Sequence, residues 1–240
     1  MNLTVRTEDI MTPRRQLRHA ADEADAKVAA DREGFDAIPL LRRDGAVHEF
    51  WSRAEHRSVW IAGQHRILHD SAIERLLPAL GKHVVQFVYY RSEMVGLVDA
   101  SDLNKPIARM VWLHPMLELE RAILDAVRDL CIDNKRQAAA LENQAASTQS
   151  RKRKAQRQDL DMPLLEYAQF TPLLRAAVRL GITQLSERDI TELNEFRTRA
   201  AHGARRAVIE SRSDCERLAQ ALEIARGAAR CAGRRSARSR

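Results

Sequence analysis

The sequence is poor in glycine (9 residues) and in aromatics (3 Trp, 3 Tyr, 5 Phe) for its 240 residues, which argues against an all-β barrel. It has no apolar run approaching the roughly 20 residues of a membrane span. The opening MNLTVRTEDIMTP has no apolar stretch of the kind a secretory signal needs. These absences lead to the expectation of a soluble, cytoplasmic protein with no membrane partner. Cysteine is also scarce. Cys131, Cys215 and Cys231 are odd in number, widely spaced and form no C-x-x-C pair. That disfavours a disulfide framework, a structural zinc site and a thiol nucleophile. His48, His56, His65, His69 and His83 are scattered without metal-ligand spacing, so no metal site is expected.

What is present supports a folded, basic, divided chain. Apolar residues make up 45% and charged residues 30%, enough for a core. The net charge is +7, unevenly placed. Residues 1–105 carry 15 basic and 16 acidic side chains, net −1; residues 106–240 carry 25 and 17, net +8. Such asymmetry points to two jobs, with the basic half facing an anion.

The first half reads as helix, strand, turn, strand, twice, at a period of about 50 residues. Helical stretches at 21–32 and 71–80, the latter with Asp70 or Ser71 as N-cap, precede strand pairs 36–41 with 45–51 and 83–90 with 94–99. The second half is helical. An apolar stripe of Met110, Leu113, Leu117, Leu124, Val127 and Leu130 marks a helix over 107–130, with Pro115 expected to kink or interrupt its first turns. Residues 134–158, including Arg151-Lys152-Arg153-Lys154, read as a solvated helix or a mobile linker. A helix over 164–180 stops at Gly181, and Ser186-Glu187-Arg188-Asp189 is a capping box opening a helix that ends near Gly203. A last helix covers 214–230, and the basic tail 232–240 is expected to be disordered.

The repeat in the first half resembles a tandem cystathionine-β-synthase-type (CBS, Bateman-type) module. The resemblance is carried by Gly96-Leu97-Val98-Asp99-Ala100-Ser101-Asp102-Leu103, by Asp9-Ile10-Met11-Thr12-Pro13 and by Ile38-Pro39-Leu40. It implies an adenine nucleotide as regulatory ligand, held by Asp102, Ser101 and Asp99, with Asp102 on the ribose. Chemically, a carboxylate where a strand gives way to a helix can accept two ribose hydroxyls, beside free N–H groups that hold phosphate. Asp99 stands where the family has Thr, and the first repeat has no matching Asp. As a plain alternative, Asp102 caps a helix. Trp51 and Trp60 serve either a base or the core.

In the second half, Glu195-Phe196-Arg197-Thr198-Arg199-Ala200-Ala201-His202-Gly203 holds an Arg and a His five positions apart. On a regular helix that separation leaves them about 140° apart. They converge if the helix frays at Ala201–Gly203, or they meet their counterparts across a twofold interface. A guanidinium can hold a phosphate, and a histidine can move the 2′-hydroxyl proton or protonate the 5′-oxygen leaving group. The segment resembles the R-x4-6-H motif of HEPN domains, all-α bundles. The resemblance implies metal-independent endoribonuclease activity in a homodimer, with Arg197 and His202 catalytic and no cofactor required. Arg199, Arg205 and Arg206 would add RNA contact. The alternative is that His202 caps the helix and Arg197 is solvated.

The expectation is an α+β protein: residues 1–105 a nucleotide-sensing CBS pair, 106–231 a HEPN-type helical domain, 232–240 a tail. A non-enzymatic regulator that binds RNA or protein is the other reading.

Overall fold

A computed structural model of the chain describes residues 4–131, 133–158, 160, 162–202 and 206–238. The fold is mixed α+β, with two small sheets early in the chain and helices after residue 105. It divides into two units, Met1–Val111 with Gly203–Ala219, and Trp112–His202 with Gln220–Arg240.

The first unit is built twice over. Asp22 caps helix α1 (Glu23–Glu33) by accepting a hydrogen bond from Asp25 N–H, and Gly34 closes it at φ 79°. Strands β2 (Ala37–Leu41) and β3 (Val47–Ser52) form the hairpin that follows, and β4 (Arg57–Trp60) adds to β3. Before α1, Ala20 bridges Leu40 in parallel. The second copy repeats the plan. Strand β5 (Arg66–Leu68) lies parallel to β6 (Val85–Tyr90), helix α2 (Leu76–Lys82) connects them, and β7 (Glu93–Asp99) returns antiparallel. The short β1 (Thr12–Pro13) completes the second sheet against β7, giving the order β1-β7-β6-β5.

Apolar residues crowd both hairpins, and β6 (VQFVYY) is buried at its first five positions. Phe50 from the first sheet and Ile61, just after β4, pack with Phe87 and Leu97 from the second, the Phe50 and Phe87 rings 5.1 Å apart. On the far face of the first sheet, Ala26, Ala29 and Ala30 of α1 cover Ile38 and Trp51. Small residues on α1 let it approach the bulky indole. Gly96 is required by a close crossing: a Cβ there would stand 2.7 Å from both Thr12 O and Met11 Sδ.

The expected cap of α2 is not made. A 3-10 turn, Ile73–Arg75, precedes the helix, and the Ser71 carbonyl instead accepts from Thr7 N–H and Oγ1. Strands β4 and β5 were not legible in the sequence, being only 4 and 3 residues long.

Helix α3 (Pro106–Leu130) runs through Pro115 without the expected interruption. Pro115 is buried, and Trp112 and Met116 beside it are 1% and 0% exposed, so packing outweighs one lost hydrogen bond. Packing also chooses the face. Trp112, Met116, Leu119, Ile123 and Val127 are buried, whereas Met110 and Leu117 of the expected stripe are 58% and 46% exposed.

The second unit continues with α4 (Asn134–Leu141), α5 (Ala145–Gln156), α6 (Phe170–Arg179), α7 (Glu187–Ala201) and, from Gln220 on, α8 (Arg212–Arg238). The Arg151–Lys154 run is therefore helical, on α5. The expected helix over 164–180 is broken: a 3-10 turn (Leu164–Tyr167) precedes α6. Gly181 ends α6 at φ 65°, with its N–H donating to Val178 O and the Ile182 N–H to Ala177 O. The Ser186–Asp189 capping box forms in both directions. The last helix extends through Arg238, where a disordered tail was expected; Ser239 and Arg240 lie outside the described residues.

The unit boundary falls inside α3 rather than at residue 105, and a later segment joins the first unit. Asn104 explains that return. Its Oδ1 accepts from Val208 and Ile209 N–H at 2.7 and 2.9 Å, and its Nδ2 donates to Ile209 O at 2.8 Å.

Candidate functional site

The strand-to-helix junction after β7 is a closed knot of hydrogen bonds. Asp99 Oδ1 accepts from Ser101 N–H (2.7 Å), from Ser101 Oγ (2.6 Å) and from Asp102 N–H (3.3 Å). Asp102 Oδ2 accepts from Asp99 N–H at 3.0 Å, and its Oδ1 lies 2.6 Å from Lys105 Nζ. Asp102 is 5% exposed. It does not start a long helix; it opens a 3-10 turn, Asp102–Asn104, and α3 begins at Pro106. Burial pushes its carboxyl up from the usual range, and the Asp99 charge adds to that. The Lys105 ammonium and the Asp99 N–H oppose it. Lys105 also donates to Ile10 O, tying the junction to the Asp9–Pro13 segment. The three sequence-assigned nucleotide residues are thus together, but their polar atoms bind one another. Lys105, which completes the knot, carried no signal in the sequence beyond its place three residues after Asp102.

Trp51 is 4% exposed and belongs to the core, while Trp60 is 52% exposed, its ring stacked on His48 at 5.5 Å.

On α7 the Arg197 guanidinium is held on two sides. It pairs with Glu120 Oε2 of α3 at 3.0 Å, and it lies 5.0 Å from the centre of the Phe170 ring. Its side chain is 28% exposed and that of Glu120 26%. A half-buried guanidinium with a carboxylate and an aromatic face keeps its charge and loses rotamer freedom. Arg197 Nε is buried without a hydrogen-bond partner among the described residues. Arg197 is therefore neither solvated nor unpaired. Glu120 and Phe170 were missed in the sequence because Glu120 is 77 residues away and no short motif links them.

His202 is the C-cap of α7, at φ −112° and ψ 31°, its N–H donating to Thr198 O. Its side chain is exposed, and among the described residues none donates to or accepts from its imidazole. The helix stays regular through Ala201, so within one chain Arg197 and His202 stay on different sides of α7. Arg199 is buried, paired with Glu195 and 5.7 Å from the Phe196 ring, so it serves the core rather than a surface. Arg206 is exposed and pairs with Glu210 at 3.0 Å. Arg205 lies outside the described residues.

Two of the three thiols are in surroundings that disfavour a nucleophilic role; Cys231 is exposed. Cys131 and Cys215 are buried, which raises both, Cys215 to about 11. Among the described residues no cluster of three His, Cys, Asp or Glu side chains is placed to hold a metal ion. Among them, too, no helix is long and apolar enough to cross a membrane.

No protein-family model matches the chain, and no curated protein matches it. Among solved structures it is similar to an uncharacterized conserved protein from Pyrococcus horikoshii, at 14% identity and a TM-score of 0.35, over 43% of this chain and 92% of that one.

Proposed function

We propose that the chain is a nucleotide-responsive regulator whose helical half is a metal-independent endoribonuclease of HEPN type, preceded by a CBS pair. One observation carries the reading: Arg197 is held in a fixed orientation by Glu120 and Phe170, near the end of a helix whose cap, His202, is exposed with no described partner. An oriented cation for a phosphate and a free imidazole for a proton are the two groups this chemistry needs. In the proposed reaction the ribose 2′-oxygen attacks the adjacent phosphorus, and the P–O5′ bond breaks. Histidine takes the 2′-proton, and a second histidine supplies one to the 5′-oxygen. Because Arg197 and His202 diverge on α7, the complete site takes the pair from a second copy. The exposed Leu117 of α3, in the same unit, offers that copy an apolar contact.

The CBS reading is supported by the doubled plan of the first unit, a short parallel pairing, a helix and a hairpin, twice. An adenine nucleotide is the proposed ligand at Asp99, Ser101 and Asp102. To bind there it has to displace the Lys105 pairing, and that rearrangement at the foot of α3 would be the signal passed on.

A non-enzymatic binding module is the second reading. It is favoured by the same Glu120–Arg197 pair, since a carboxylate already neutralises the cation. Incubating the protein with RNA in EDTA, with and without ATP or AMP, beside His202→Ala decides between them. Cleavage that survives EDTA and vanishes in the variant supports the enzyme. RNA bound but uncut by either protein sinks the enzyme and leaves the module.

A further inference from the structure

We propose that a groove between α3 and the last turns of α8, inside the helical unit, binds the phosphate backbone of single-stranded RNA through Arg121 and Arg230. The groove encloses about 780 Å³. Its charged lining is Glu118, Arg121, Asp125 and Arg230, and the small residues Ala229 and Gly233 keep the α8 surface low there.

The pairing of the groove's charged side chains points to its occupant. Glu118 Oε1 lies 3.2 Å from His114 Nε2, and Asp125 Oδ1 lies 3.7 Å from an Arg128 nitrogen. Asp129, one turn further along α3, accepts from Ser236 Oγ. The carboxylates thus have partners on the protein. Arg121 and Arg230 are both exposed, and among the described residues neither is paired with a carboxylate. The chain beyond Glu223 adds arginines at 226, 230, 234, 235, 238 and 240 and no Asp or Glu. Unpaired guanidinium groups on a concave surface, beside carboxylates already engaged with other side chains, suit an extended polyanion. No aromatic side chain lines the groove, so binding is through phosphates, independent of sequence and sensitive to salt.

The choice of RNA over another polyanion rests on the proposed function. Arg121 also lines a second cavity of about 420 Å³, together with Glu120, the partner of Arg197. A strand held by Arg121 then runs next to Glu120, the residue that holds the candidate catalytic arginine.

The test is fluorescence polarisation of a labelled single-stranded RNA with full-length His202→Ala protein, at several salt concentrations. That background needs no cleavage, so an inactive wild type would sink the catalytic reading and leave this measurement intact. The pair Arg121→Gln/Arg230→Gln should weaken binding about tenfold or more. It should also lower the salt slope by about 1.4, two contacts at roughly 0.7 each. Arg121→Lys/Arg230→Lys should retain most of the affinity, and Arg234→Gln, exposed on α8 outside the groove, should cost less than the Gln pair. An RNA affinity and slope unchanged in the Gln pair, an equal loss in Arg234→Gln, or no RNA bound by the parent overturns the proposal. Should the Gln pair melt early, Glu118→Gln/Asp125→Asn is read instead. Tighter binding by severalfold is expected there, and unchanged affinity overturns the groove.

Discussion

The two units use their candidate polar residues in opposite ways. In the sheet-bearing unit Asp102 is 5% exposed, and its oxygens are taken by Lys105 and the Asp99 N–H. In the helical unit His202 is exposed at a helix end, with no described partner. A buried, fully bonded charge is part of the fold whether or not a ligand uses it. An exposed imidazole with no partner among the described residues adds little to stability, so removing it tests function with the least disturbance. Arg197 lies between these cases, half-buried and paired, so its substitution will disturb both.

The largest expected effect falls on His202. His202→Ala should lower RNA cleavage by about a hundredfold or more, while urea unfolding changes by less than about 0.5 kcal/mol. A large stability loss would mean that the helix end depends on the imidazole, and the contrast with Asp102 would fail.

Gly96→Ala comes next, because the added Cβ meets backbone as well as Met11. A loss of about 2 kcal/mol, read by denaturant unfolding, is expected. An unchanged midpoint would show that β1 is not held against β7.

Lys105→Met should cost about 1–3 kcal/mol at neutral pH, since it leaves Asp102 buried without its counter-charge. The pH direction follows from the raised carboxyl of Asp102. A carboxyl whose folded pKa exceeds its unfolded value favours the fold below the unfolded pKa, and that contribution is lost as pH rises through the folded one. Removing Lys105 raises it further, so the destabilisation should be largest near neutrality and shrink as the solution is made acid. Unfolding midpoints of wild type and variant across that range check the sign; a gap that widens in acid would contradict it.

The smallest effect sharpens the contrast. A double-mutant cycle of Glu120→Gln and Arg197→Met should give a coupling of about 1 kcal/mol, the size suited to a pair still a quarter exposed. Additive losses would mean that Glu120 does not hold Arg197.

Local chemistry was legible. Gly181 stops α6, and the Ser186–Asp189 box opens α7, each where side chain and backbone meet within a few residues. The strands of both hairpins were legible because apolar residues crowd them. The short β4 and β5 were not, since 4 and 3 residues show too little of a pattern. The buried face of α3 was misread because the helix is apolar on more than one side, and periodicity does not rank two such faces. At the candidate sites the residue types were visible, but their state was not. That Asp102 is closed by Lys105, that Arg199 is buried, and that Arg197 is held by Glu120 and Phe170 are non-local outcomes.

By itself, then, the sequence determined the mixed α+β class, the doubled first half, the helical basic second half and the ends of several helices. These follow from hydrogen bonds and apolar spacing within one or two turns of chain. Only the tertiary structure decided which face of α3 is buried, why Asn104 draws residues 208–209 into the first unit, and which charges are consumed by the fold. Each depends on a surface supplied by chain far away in sequence, as Glu120 is from Arg197 across 77 residues, and burial exists only once that surface has been assembled.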